Sequence, residues 1–149
     1  MARIAPLEPE EARIWLEWAG SRLLALKLRS AAPAGYRSFW PDYADDSAAY
    51  GYTKETMRAP AVAPDEVPIM DLILGLPSVI DDVRVRRIVH RRCLVTPVSG
   101  RYVYSYGKIA EEFHLDPRLA ARLFLKGLNE IARKAPVAKI HAIRVFINA

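Results

Sequence analysis

Four residues in the last third of the chain, Arg118, Ala121, Arg122 and Lys126, recur at a spacing that places them on one side of a helix. Their chemistry suits a nucleic-acid duplex. A guanidinium offers a planar fork of donors that matches guanine O6 and N7 or the oxygens of a phosphate, whereas a small apolar group such as Ala121 fits against a thymine methyl. Lys126 adds a point charge for the phosphate backbone. Arg84, Arg87 and Arg91 belong to a second cationic stretch, VRVRRIVHRR, whose arginines suit gripping that backbone. For the first group the competing reading is a solvated helix face; for the second it is ion pairing with acidic residues elsewhere.

To present those side chains the chain needs an angled pair of helices, and SYGKIAEEFHLDPRLAARLFLKGLNEIAR, Ser105 to Arg133, reads as a helix-turn-helix. Ile109, Ala110 and Phe113 form the apolar stripe of the shorter helix, with Ala110 small enough for a close neighbour. His114 and Leu115 make the turn. His114 stands where a glycine is usual, so it is expected at positive φ, a conformation that His tolerates better than a β-branched residue does. Asp116 is suited to cap the second helix and Pro117 to open it. Along that helix Leu119, Ala120, Leu123, Phe124, Gly127, Leu128 and Ile131 are expected to face inward. Arg118, Ala121, Arg122, Leu125, Lys126, Asn129 and Arg133 are left outside.

The remaining elements follow from periodicity and punctuation. Residues 8 to 29 predict a long helix with an acidic first turn and basic end, carrying Trp15 and Trp18 and more apolar surface than one stripe needs, so that it packs on two sides or on a second chain. Pro64 to Leu76 predicts another helix, stopped by Gly75 and Pro77. Ser78 and Asp81 resemble a capping box opening a helix over Val79 to Leu94, with Ile80, Val83, Ile88 and Val89 inside. Arg101 to Tyr104 reads as a short extended approach. Between Ser30 and Pro68 prolines interrupt the chain, and Tyr36, Phe39, Trp40, Tyr43, Tyr50 and Tyr52 put six rings into seventeen residues, an aromatic arm expected to dock on something apolar. The β-branched tail 136–149 predicts a short strand, pairing near Val103 or with another copy. The expected fold is mainly α: a helical bundle containing a helix-turn-helix, with a Trp-bearing N-terminal helix, a proline- and aromatic-rich arm and a short C-terminal β-strand. Its expected divisions are 1–68 (helix and arm), 69–135 (DNA-binding unit) and 136–149 (tail).

Composition narrows the function classes. At 149 residues and 52% hydrophobic, the chain can bury a real core. Residues 1–75 hold 8 Lys and Arg against 11 Asp and Glu (net −3), and residues 76–149 hold 14 against 6 (net +8). The positive potential is thus one-sided, as a phosphate-binding surface requires. A single cysteine, Cys93, forbids an intrachain disulfide and is expected to be a buried apolar residue; a reducing cytoplasm is the expected compartment. No signal-peptide core and no apolar run of membrane-spanning length is present, so no membrane association is expected. His90, His114 and His141 lack ligand-spaced companions, and Asp81-Asp82 and Glu111-Glu112 diverge by about 100° on a helix. Neither a metal, a cofactor nor a catalytic constellation is expected, and the chain reads as non-enzymatic.

LPSVIDDVRVRRIVHRR followed by SYGKIAEEFHLDPRLAARLFLKGLNEIA resembles the fourth region of bacterial sigma factors, a four-helix DNA-reading module. With the Trp-bearing helix, GYRSFWP at Gly35 to Pro41 and the proline-rich arm added, the layout is similar to an uncharacterised family of phage- and prophage-associated proteins of alphaproteobacteria. The resemblance implies a DNA-reading helix over Pro117 to Lys134, with Arg118, Ala121, Arg122 and Lys126 toward the bases. His114 and the longer Arg91 to Tyr104 connection depart from the module, and nothing matches a promoter-melting region. The implied function is sequence-selective binding of double-stranded DNA by a homo-oligomeric transcriptional regulator. Two alternatives stay open: a small-terminase-like DNA-packaging subunit, and a protein-interaction module that binds RNA polymerase or a phage protein.

Overall fold

A computed structural model describes residues 4–30 and 61–149, which form six α-helices and no strand. The aromatic arm expected at 36–52 lies outside the described residues. Helix α1 (Pro9–Ser30) opens with Glu10 and Glu11 in its first turn, where the helix dipole favours negative charge. Ala12, Trp15, Leu16 and Ala19 are buried, and the helix packs on both α2 (Glu66–Leu74) and α5 (Pro117–Lys134). Two-sided packing explains the surplus of apolar residues. Gly20 permits a further approach, because a Cβ there would lie 2.1 Å from the Cys93 carbonyl oxygen at the end of α3 (Val83–Arg92).

Helix α2 buries Met70 and Ile73, and Gly75 leads into a 3-10 turn over Leu76–Val79 with Leu76 and Pro77 buried. The expected capping box does not form. Ser78 Oγ instead donates to the Gly75 carbonyl at 2.7 Å, Ile80 is extended, and Asp82 caps α3 by accepting the Arg84 N–H at 2.9 Å. Starting at Val83 rather than Val79 shifts the stripe, so Val85, Ile88 and Val89 are buried while Val83 is exposed.

Helices α3, α4 (Tyr106–Phe113) and α5 pack pairwise. Gly127 is the notch between α3 and α5: a Cβ there would come within 2.6 Å of Val89 Cγ2 and 3.0 Å of Val85 Cγ1. The side chains of all six helices join one apolar cluster.

The tail is a helix, not the expected strand. In α6 (Val137–Ile147) Ile140 and Ile143, one turn apart, are buried, and the helix packs on α2. Packing of that pair outweighs the β preference of the branched residues, and Ala138, Lys139 and Ala142 favour helix. Arg144 secures it, donating to both Glu11 oxygens at 2.9 and 2.7 Å and to the carbonyls of Ala5 and Pro6 at 2.6 and 3.0 Å. The Glu11 carboxyl is held below its ordinary pKa by these bonds and the charge behind them. Phe146 tilts against Trp18 with centroids 6.4 Å apart.

Candidate nucleic-acid interface

Local chemistry shapes the joint between α4 and α5. Ser105 caps α4 by accepting the Lys108 N–H at 3.3 Å, and the helix stops at His114, which adopts the left-handed conformation at φ 55°. That geometry costs a non-glycine residue about 1 kcal/mol. The Leu115 N–H donates back to the Ala110 carbonyl at 2.8 Å, and Asp116 caps α5 by accepting the Arg118 N–H at 2.8 Å, directly before Pro117. Across the joint the edge of Tyr106 meets Phe124 at 6.3 Å. These contacts set which side of α5 looks outward.

The inner side buries Ala120, Phe124, Gly127, Leu128 and Ile131. Leu119, expected inside, is 41% exposed: it falls at the border of the stripe, where Ala120 and Leu123 take the inner positions. On the outer side Arg118, Arg122, Leu125, Lys126, Asn129 and Arg133 are exposed, and Ala121 is half-buried at the margin. Among the described residues, none of Arg118, Arg122, Lys126 and Arg133 makes an ion pair. Arg133 continues the face beyond the four residues singled out by spacing, three turns along from Arg122, and the same period contains it. At the far end Lys134 is engaged, bridging Asp81 at 2.6 Å and Glu130 at 3.1 Å. The Asp81 carboxyl is lowered by that hydrogen bond and charge.

Helix α3 treats its arginines differently. Arg84 donates to the Phe113 carbonyl at 3.1 Å, closing the carboxy end of α4, and Arg86 donates twice to the Ile80 carbonyl, at 3.2 and 2.6 Å. Arg91 pairs with Glu112 at 3.1 Å and lies over the Tyr104 ring at 5.2 Å. Arg92 sits between the rings of Tyr102 and Tyr106, 3.6 and 3.9 Å from their centroids, and donates to the Tyr104 carbonyl at 3.2 Å. Only Arg87 of the five is exposed with no hydrogen-bond or ion-pair partner among the described residues. Of the candidates Arg84, Arg87 and Arg91, two are therefore tied into the fold.

The long Arg91 to Tyr104 connection is a hairpin. Val95 and Tyr102 form one antiparallel bridge, the Val103 N–H donates to Leu94, the Thr96 N–H donates to Arg101, and Gly100 turns at φ 66°. Tyr102 holds it down, donating its hydroxyl to Glu17 of α1 at 2.5 Å; that bond, burial and the carboxylate charge raise the phenol pKa. The clamp of Arg92 on this hairpin had no signal in the sequence beyond the aromatic spacing. Cys93 is buried, and burial followed by the nearby Glu17 charge pushes its thiol up to about 12. Among the described residues no three His, Cys, Asp or Glu side chains are grouped to hold a metal, and no helix is long and apolar enough to cross a membrane. No family model, curated protein or solved structure matches the chain.

Proposed function

We propose that the chain is a non-enzymatic, sequence-selective DNA-binding protein, a transcriptional regulator of phage or prophage-type genes that lays α5 in a major groove. One observation carries this: the outer face of α5 holds Arg118, Arg122, Lys126 and Arg133 in solvent without described counter-charges, while its inner face is seated on α3 and α4. Cations of that kind displace condensed counterions from a duplex and gain affinity by doing so. Arg118 and Arg122 near the start of the helix read base edges, with Ala121 beside them. Lys126 and Arg87 hold phosphates; Arg84 and Arg91 add only the donors that their internal contacts leave free. The active form is a cytoplasmic homo-oligomer on a two-fold symmetric site.

Selection of bound sequences from random double-stranded DNA at two salt concentrations tests the reading. A recovered palindrome, with affinity that falls steeply as salt rises, is the expected result. Equal retention of all sequences counts against selectivity. A second reading is favoured by Leu125, 56% exposed in the middle of the arginines. An apolar residue ringed by cations also suits docking on an acidic protein surface such as RNA polymerase, and binding that ignores DNA and persists at high salt is its signature.

A further inference from the structure

Between α1 and the cationic side of α3 lies a cavity of about 480 Å³ whose apolar walls the DNA reading leaves unused, although it shares Arg87 and Arg91 at the polar side. Leu16 and Leu23 of α1, Leu74 of α2, and Cys93 and Leu94 after α3 line it with apolar surface. Arg87, His90 and Arg91 stand with Glu112 of α4 among its polar groups. Its volume falls within the range of about 300 to 1,000 Å³ typical of small-molecule sites, which combine apolar walls with a few placed polar groups. Gly20 also lines it, at the point where α1 packs directly on the Cys93 carbonyl.

The charges select a ligand. Arg91 is matched by Glu112 at 3.1 Å, and desolvation of the His90 ring together with nearby Arg86 holds that imidazole below its ordinary pKa. The Cys93 thiol stays protonated. Arg87 is left as a guanidinium without a described carboxylate beside an apolar hollow, and a single carboxylate on an apolar body complements both. We propose that this cavity binds a small organic acid, with its apolar part against Leu16, Leu23 and Leu74 and its carboxylate on Arg87 and, in competition with Glu112, on Arg91. The inference stands whether or not α5 enters DNA.

Isothermal titration calorimetry of the full chain with benzoate, octanoate and 1-naphthaleneacetate, and with the uncharged 1-naphthaleneacetamide, tests it. Saturable one-site binding of at least one acid is expected, with the amide weaker than its acid by about tenfold or more. Arg87→Gln should impose a similar loss on the acid, whereas Glu112→Gln should tighten it by releasing Arg91. Circular dichroism of both variants checks that they fold as the parent does. No saturable binding by any of the three acids, equal affinity for acid and amide, or an Arg87→Gln protein that binds as well as the parent overturns the site. A Glu112→Gln protein that binds no tighter removes Arg91 from it.

Discussion

Helices α3 and α5 are both rich in cations, yet they use them in opposite ways. Four of the five arginines on α3 are engaged with carbonyls, a carboxylate or tyrosine rings of their own chain, whereas the outer arginines of α5 face solvent. Counting charges ranks α3 as the stronger phosphate binder. Following each guanidinium to what it touches reverses the order, because a donor already spent inside the fold must be released before it can serve a ligand. Arg84, Arg86, Arg91 and Arg92 of α3 hold the frame together, whereas Arg118, Arg122, Lys126 and Arg133 of α5 make no ion pair among the described residues.

The sharpest way to break this contrast is to remove Arg118 and Arg122 together. Each is expected to contribute about 1 to 3 kcal/mol of selective binding, so the double alanine variant should lose at least about thirtyfold in affinity for the selected site by fluorescence anisotropy. Its urea midpoint should not move. Next in size, Gly127→Ala should lower stability by about 1 to 2 kcal/mol in urea unfolding, because overpacking against Val89 and Val85 exceeds the gain in helix propensity. Arg92→Ala should cost about 1 to 2 kcal/mol of stability by losing two ring contacts and a carbonyl bond, with DNA affinity retained. A fall in DNA affinity with unchanged stability would put Arg92 in the same class as Arg122. The smallest effect concerns pH. His90 has a depressed folded-state pKa, so the unfolded chain takes up the proton first as pH falls. Its contribution to stability is therefore complete above about pH 6.5 and declines below it, and His90→Gln should flatten that part of the stability profile.

What could be read from the sequence was local. The start of α5 was legible because Asp116 and Pro117 act within one turn, and the left-handed His114 followed from its place between two helices. Chemistry confined to a few residues travels with the string. Two local signals also misled: Ser78 and Asp81 imitate a capping box, but Asp82 makes the cap, and the branched tail imitates a strand although Ile140 and Ile143 find a helical seat on α2. Propensity lost to tertiary packing there. The roles of the arginines were not legible, since Arg84 meets Phe113 at a separation of 29 residues, Arg91 meets Glu112 at 21, and Arg144 meets Glu11 at 133. An arginine that staples and one that waits for a ligand look the same until the chain is folded around them.

The missing side chain at Gly127 has a kinetic meaning. Because α3 sits directly against the α5 backbone at that point, the outer helix has little freedom to roll about its axis, and in the proposed function its side chains would meet the duplex already aimed. Docking then requires little ordering of the protein, so the encounter rate should be set by long-range attraction between opposite charges and slow as ionic strength rises.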